Sequence, residues 1–256
     1  MTEVPEEQGL VDSGAAPLGA APAPLPPESH HRNVQGGAAR AAVFGVSDGL
    51  VSNVALILGV AGASPGPGVV RLAGVAGLIG GAVSMAAGEW VSMTAQAELL
   101  ERELRMEAIE LRRRPEGERQ ELVQIYRSRG VERDTAEQLA TELMRDPELA
   151  LETHAREELG IDPNSLGSPW SAAVSSFLAF GLGALIPLLA WLFSSGGAAI
   201  AVSIVLSGVT ALGVGAALAR FTGRSVIRTS VRQLLFAAVP AAITYALGSA
   251  VGVGVG

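Results

Sequence analysis

Five long apolar runs, each of about twenty residues and nearly free of charge, constrain the fold of this chain more than any other feature. They cover residues 41–63, 72–94, 170–193, 197–219 and 233–254. A helix of about 20 predominantly apolar residues is long enough to cross the hydrocarbon core of a bilayer. The sequence therefore predicts an all-α polytopic membrane protein with five transmembrane helices embedded in a lipid bilayer.

The composition agrees with this class and excludes several others. Charged residues make up 17% of the chain, against about 25% in soluble domains. Glycine occurs 32 times in 256 residues and crowds the second run, where small residues allow transmembrane helices to approach closely. Cysteine is absent, which excludes a disulfide scaffold and thiolate metal ligands. The net charge of −7 argues against nucleic acid as a partner.

The charge pattern divides the chain into four segments. Between Glu98 and Glu158 it carries 17 acidic side chains and 11 arginines, whereas the apolar runs carry almost none. We therefore expect a cytoplasmic acidic helical insert between the second and third transmembrane helices. The predicted segments are a disordered tail at 1–37, transmembrane helices one and two at 38–96, the metal-binding insert at 97–162, and helices three to five at 168–256.

Helical periodicity and breaking residues predict four helices in the insert. The first continues out of the second apolar run and ends before Pro115. The next three are expected at Leu122–Arg129, Asp134–Arg145 and Glu148–Leu159, with glycine or proline following or separating them.

Arginine placement predicts the orientation in the membrane. Arg32 and Arg40 precede the first run, eleven arginines lie in the insert, and four more, at 220, 224, 228 and 232, separate the last two runs. With five spans, all three segments fall on one side, which the positive-inside rule assigns to the cytoplasm. We therefore expect a multi-pass protein of the inner cell membrane with its carboxyl terminus outside.

Two carboxylates lie inside otherwise uncharged runs. Asp48 is the only charge of the first run and is surrounded by the oxygens of Ser47, Ser52 and Asn53. Glu89 is the only charge of the second. An ionisable group at membrane depth costs on the order of 3 kcal/mol or more, so it is kept where it lines a polar path or binds a cation. The alternative for each is a hydrogen-bonded residue near a helix end.

Methionine accompanies the second of these carboxylates. Met85 lies four residues before Glu89, so both side chains project from one helix face. A thioether with carboxylates suits a transition metal better than Mg²⁺ or Ca²⁺. The alternative interpretation of Met85 is packing.

The insert contains carboxylate pairs at i, i+3 spacing, which places both on one helix face. These pairs are Glu98/Glu101, Glu107/Glu110 and Glu118/Glu121. A chain reversal at Pro115 would bring acids from its two sides together as an oxygen-rich divalent metal site. The alternative is a solvated helix with Glu–Arg pairs at i, i+4, which fits Glu98, Glu101 and Glu110 only.

His154 and Glu158 stand at i, i+4 on the last predicted helix of the insert. Neutral imidazole and carboxylate together suit Fe²⁺, Mn²⁺ or Zn²⁺. The alternative is an ordinary surface histidine. The sequence contains no phosphate-binding loop and no hydrolase motif, so we expect neither an enzyme nor a resident cofactor.

The order of these motifs resembles the vacuolar iron transporter family. The resemblance rests on SDGLVSN in the first run, GGAVSMAAGEWVS in the second, and a Glu-rich insert closing on HAREELGI, and it covers residues 38–254. It implies a homodimer of five-span protomers, here in a bacterial member, with the ion path between protomers. Some relatives carry a methionine pair where this chain has His154 and Ala155.

The resemblance also implies a function: a carrier exporting Fe²⁺ or Mn²⁺ from the cytosol in exchange for protons. By matching position, the pathway residues are Asp48, Met85 and Glu89. The metal ligands of the insert are Glu107, Glu110, Glu118, Glu121 and Glu158, with His154 substituting for methionine. Two alternatives remain open: a membrane-anchored iron-sequestering protein without transport, and a path for another cation or for protons alone.

Overall fold

The computed structural model describes residues 37–63, 66–160, 162 and 167–255. Within these ranges the chain is all-helical, and the predicted all-α fold is confirmed. Its eight helices are α1 (Gly37–Gly62), α2 (Pro67–Arg113), α3 (Pro115–Ser128), α4 (Arg133–Leu143), α5 (Pro147–Glu157), α6 (Pro169–Phe193), α7 (Gly196–Thr222) and α8 (Val226–Val255). The predicted tail lies, except for its last residue, outside the described residues.

Five of these helices are long and apolar enough to cross a membrane, as the sequence predicts. They are α1, α2, α6, α7 and α8. Proline at the first turn starts α2 and α6, where its missing N–H costs no intrahelical hydrogen bond. Pro187 lies inside α6, and the carbonyl oxygen of Pro187 accepts a 2.8 Å hydrogen bond from the Ser203 hydroxyl of α7. The kink-prone proline therefore lies at a helix contact.

Glycines bring α1 against α6 at backbone distance. A Cβ on Gly49 would clash with the carbonyl of Phe180, and a Cβ on Gly183 would clash with the carbonyl of Val46. Only glycine permits this approach, because any side chain would separate the two backbones. α1 also packs on α2, α7 and α8, so it is the central helix of the bundle. Its Leu50 side chain is completely buried.

α2 is longer than a bilayer is thick. Its 47 residues extend about 70 Å, more than twice the hydrocarbon thickness of about 30 Å. Its apolar first part packs on α6, and its second part, from Glu98 onward, is strongly charged. The Trp90 ring meets Trp170 of α6 with centroids 6.0 Å apart, the pairing of aromatic side chains typical of a membrane interface. The charged part of α2 therefore lies beyond the membrane-spanning segment.

The insert consists of the charged part of α2 followed by α3, α4 and α5. Its small core contains Leu122, Val123, Ala136 and Ala140, all from α3 and α4. The second helix of the insert begins at Pro115, not at Leu122 as predicted. Pro115 occupies the first turn of α3, so it ends one helix and starts the next without an intervening loop.

Candidate metal sites

One cavity connects two of the three predicted pathway residues, and the third, Glu89, is not among the residues that line it. Asp48 and Met85 both line a cavity of about 310 Å³ between α1, α2 and α6. The other lining residues are Ser52, Asn53, Leu56, Gly77, Gly81, Ser84 and Phe180. The cavity therefore joins a carboxylate, a thioether, an amide and two hydroxyl groups within the helix bundle.

The cavity exists because α1 and α2 run antiparallel in a fixed register. Arg40 contacts Glu89 near one end of the spans, and Asn53 lies beside Gly77 farther along. Asp48 lies between these two levels on α1. The candidate membrane span of α1 runs from Arg40 to Gly62, so Asp48 is three residues from the midpoint of that span, or about 4.5 Å along the axis.

Small residues of α2 leave the space that the cavity occupies. A Cβ on Gly81 would collide with the ring of Phe180, and a Cβ on Gly77 would lie 2.5 Å from Leu56 Cδ2. The Ser52 hydroxyl donates to the backbone carbonyl of Asp48 at 2.6 Å, a bond internal to α1. The Asp48 carboxylate is half-buried and lines the cavity.

Glu89 forms an ion pair at the end of the spans nearest the insert. Arg40 Nη2 donates to Glu89 Oε1 at 2.9 Å. The Glu89 side chain is 13% exposed, whereas Arg40 is 69% exposed. Sequence reasoning used Arg40 only for orientation. The antiparallel register that pairs it with Glu89 is a long-range feature that no local pattern reveals.

The insert brings a first set of predicted ligands together. Ligand atoms of Glu107, Glu118 and His154 lie within 4.8 Å of one another, and all three residues are buried. Burial is the main cause that raises the pKa of Glu107 to about 7 from an ordinary 4.5, with the negative charge of Glu158 next. The acids repel one another and are poorly hydrated, which is the environment that a divalent cation would relieve.

His154 is completely buried and is held by backbone contacts. Its Nδ1 lies 2.9 Å from the carbonyl oxygen of Ala150, and its Nε2 lies 3.3 Å from that of Glu118. The shorter contact favours a proton on Nδ1, and Nε2 lies beside the Glu118 backbone within the group of buried acids. Metal-binding histidines are oriented in this way, by donating their other N–H to a carbonyl. A surface histidine is therefore excluded here.

A second set shares one carboxylate with the first. Ligand atoms of Glu118, Glu121 and Glu158 lie within 4.8 Å of one another. Burial, followed by the charge of Glu121, raises the pKa of both Glu118 and Glu158. The sequence predicts His154 and Glu158 on one helix face as ligands. In the structure His154 belongs to the first set and Glu158 to the second, and Glu118 belongs to both. We call the two sets together the acidic cluster.

The other predicted acids fall outside the two sets. Glu110 belongs to neither, although its negative charge helps to raise the pKa of Glu107. The expected i, i+4 ion pairs are replaced in part: Arg102 bonds to Glu103 at 3.2 Å, and Arg105 donates to the backbone carbonyl of Glu101 at 3.3 Å. Of the predicted acids on the two sides of Pro115, Glu107 and Glu118 are the ones that are buried together with His154.

Comparison with known proteins identifies the family. The model of the VIT family matches residues 39–249. The chain belongs to the VIT family. A vacuolar iron transporter of Acanthamoeba castellanii is 37% identical over 214 residues, covering 82% of this chain and 77% of the relative. Vacuolar iron transporter 1 of Oryza sativa subsp. japonica is 30% identical over 244 residues, covering 94% and 97%.

A further relative extends the likeness to another plant. Vacuolar iron transporter 1 of Arabidopsis thaliana is 29% identical over 210 residues, covering 82% of this chain and 84% of its own length. The VIT-family membership and the five apolar helices make this chain a multi-pass membrane transporter of metal ions. Its named relatives are transporters.

Proposed function

We propose that this VIT-family protein exports Fe²⁺ from the cytosol in exchange for protons, and that Mn²⁺ uses the same path. The observation that carries the proposal is the cavity that Asp48 and Met85 share between α1, α2 and α6. A carboxylate and a thioether form a suitable donor pair for a first-row transition metal. The related vacuolar iron transporters support iron as the substrate.

Capture is the first step of the proposed mechanism. The acidic cluster concentrates divalent cations by electrostatic attraction and binds them through carboxylates and His154 Nε2. Binding requires deprotonated carboxylates, so metal uptake at Glu107 releases a proton near neutral pH. The ion then leaves the cluster and moves to Glu89, where it displaces the guanidinium of Arg40.

Passage through the cavity is the second step. The ion exchanges its remaining water for Asp48 and Met85, and the carboxylate neutralises part of the charge that would otherwise be exposed to hydrocarbon. After release on the far side, Asp48 takes up a proton and returns without a net charge. Proton and metal compete for one carboxylate, which couples their opposite movements.

The arrangement in the cell is part of the proposal. The positive-inside rule puts the acidic insert in the cytoplasm and the carboxyl terminus outside, in the inner membrane of a bacterial cell. The spanning part of α2 exposes a face with Leu72, Ile79 and Val83, all more than half exposed. A second copy that packs on this face would form the homodimer.

Iron sequestration without transport is the second candidate. The buried Glu107–Glu118–His154 set favours it, because a closed site retains a metal instead of passing it on. In that case the five spans would only anchor the insert. The intramembrane carboxylate of Asp48 would then be a cost without a purpose.

Metal entry into proteoliposomes separates the two candidates. The full chain is reconstituted with a fluorescent chelator and a pH indicator inside, and Fe²⁺ is added outside under anaerobic conditions. Antiport predicts chelator quenching that accelerates when the lumen is made acidic, accompanied by proton exit. Sequestration predicts bound iron on the protein but no luminal signal. Metal entry indifferent to the pH gradient would refute proton coupling.

A further inference from the structure

Asn53 is the most deeply buried polar residue of the cavity, and its amide is only half used. The residue is 1% exposed. Its Nδ2 donates to the backbone carbonyl of Ala184 on α6 at 2.6 Å. Its Oδ1 is buried and has no hydrogen-bond partner among the described residues. An unpaired buried carbonyl costs about 1–3 kcal/mol, so its retention calls for an explanation.

The hydrogen bond to α6 fixes which amide atom faces the cavity. A backbone carbonyl can only accept, so the atom next to Ala184 has to be the amide nitrogen. The oxygen is consequently the atom left unpaired. Because α1 and α6 touch at backbone distance through Gly49 and Gly183, the amide is held on a rigid support.

Gly77 keeps the space in front of this oxygen open. A Cβ at Gly77 would lie 2.6 Å from Asn53 Oδ1, closer than real Cβ contacts allow. Both residues line the same cavity as Asp48 and Met85. No side chain of residue 77 therefore stands against this oxygen, which nothing else in the described structure satisfies.

The position of Asn53 along α1 complements that of Asp48. The midpoint of the Arg40–Gly62 span falls between them, and the two residues are about 7.5 Å apart along the axis. A neutral amide oxygen is a hard ligand that Fe²⁺ and Mn²⁺ accept. It adds no charge, so it can help strip water from the ion on the far side of the midpoint without trapping the ion there.

We propose that Asn53 Oδ1, which lies next to Gly77, is an oxygen ligand of the divalent cation in the Asp48–Met85 cavity. The inference rests on the proposed function, since it names a further ligand of the same path. Asn53 orients itself through Ala184 and binds through its oxygen. In this proposal Asn53 binds the ion, and its hydrogen bond to α6 holds the side chain in position for binding.

Direct Fe²⁺ binding to the full chain in detergent tests this ligand. The background carries glutamine at the acids of the insert so that only the membrane site is read: Glu107, Glu110, Glu118, Glu121 and Glu158. Asn53→Leu and Asn53→Asp both remove the Nδ2 donor, but only Asp retains an oxygen. We expect Asn53→Leu to weaken Fe²⁺ binding about tenfold or more. We expect Asn53→Asp to bind Fe²⁺ at least as tightly as the unmodified residue does.

Gly77→Ala supplies the second variant, because it obstructs Oδ1 while leaving the bond to Ala184 intact. Its matched control is Gly181→Ala on α6, where an added Cβ meets nothing within 4 Å. We expect Gly77→Ala to weaken binding about tenfold and Gly181→Ala to leave it unchanged. If Asn53→Leu does not fold, the Fe²⁺ affinity of Gly77→Ala tests the proposal by itself.

Several results would overturn the proposal. Equal losses in Asn53→Leu and Asn53→Asp would show that the residue acts only through its bond to α6. Unchanged binding in Asn53→Leu or Gly77→Ala would show that Oδ1 is not a ligand. Asp48→Asn in the same background separates the two proposals: normal binding there refutes the pathway itself, whereas loss there with normal Asn53→Leu binding refutes only the new ligand.

Discussion

The membrane cavity contains one carboxylate, Asp48, whereas the acidic cluster of the insert gathers Glu107, Glu118, Glu121 and Glu158 around His154. The cavity is built by glycines that bring helix backbones together. The cluster is built by charged side chains from the charged end of α2, from α3 and from the end of α5, beside a small core. The comparison indicates that a path through lipid uses few charges between closely packed helices, whereas a capture site outside the spans can hold many.

The two regions should differ most in their sensitivity to a single methyl group. Gly49→Ala and Gly183→Ala each push a Cβ into a backbone carbonyl across the α1–α6 contact, which cannot move aside. We expect loss of monodisperse protein on size exclusion or a thermal midpoint lower by many degrees. Gly213→Ala on α7, where the space is open, is the matched control. Normal stability of both variants would show that the α1–α6 contact is not rigid.

The second prediction concerns the carboxylate shared within the cluster. Glu118 belongs to both sets of ligands, whereas Glu110 belongs to neither. Glu118→Gln should therefore weaken Fe²⁺ binding to the insert about tenfold or more, and Glu110→Gln should weaken it much less. Equilibrium dialysis of the full chain, in an Asp48→Asn background that silences the cavity, measures both. Equal effects would mean that the cluster acts as diffuse charge.

The third prediction uses the pKa of Glu107, raised to about 7 from 4.5 chiefly by burial. An acid whose pKa is raised by folding stabilises the metal-free protein below about pH 4.5, and this contribution is lost as the pH rises through 7. Glu107→Gln keeps the neutral form, so its thermal midpoint should exceed that of the unmodified chain by more at pH 8 than at pH 5. A difference that is the same at both pH values would contradict this account.

Metal binding should show the opposite pH dependence. Fe²⁺ requires the ionised carboxylate, so the apparent affinity of the cluster should fall as the pH drops below 7, by about tenfold per pH unit for each proton displaced. Binding isotherms between pH 5.5 and 8 measure the slope. Glu107→Gln should flatten the part of that slope near pH 7, and an unchanged slope would remove Glu107 from the ligand set.

The smallest effect is expected where the two regions meet. Arg40 is largely exposed, so its 2.9 Å pair with Glu89 contributes at most about 1 kcal/mol to stability. Arg40→Gln should leave the thermal midpoint nearly unchanged and lower the KM for metal entry a few-fold, because a competing cation is removed. Arg102→Gln, which breaks an exposed pair with Glu103, is the control. A higher KM in Arg40→Gln would show that Arg40 assists entry.

Local pattern sufficed to predict the spans, because apolar length gives the five long helices directly. Asp48 and Met85 line one cavity, and their role in an ion path, implied by the family resemblance, stays a prediction. The predicted start of the second helix of the insert, Leu122, is wrong by seven residues. Pro115 breaks the preceding helix, but it is also favourable in a first helical turn, so the next helix begins there.

Long-range packing explains what the sequence could not give. The burial of His154 and the sharing of Glu118 depend on how α5 packs against α2 and α3, which helical spacing does not encode. The sequence indicates Asn53 only as one of several oxygen-bearing residues near Asp48. Its role follows from a bond to Ala184, 131 residues away. The ligand roles of these residues stay predictions until metal binding is measured.

Fe²⁺ entry into proteoliposomes, compared between Asp48→Asn and a chain with glutamine at Glu107, Glu118 and Glu121, tests the central claim that the ion crosses at Asp48. The account predicts that Asp48→Asn abolishes entry at every Fe²⁺ concentration, while the insert variant regains the normal rate when Fe²⁺ is saturating. Normal entry in Asp48→Asn, or its rescue by saturating metal, would contradict the account.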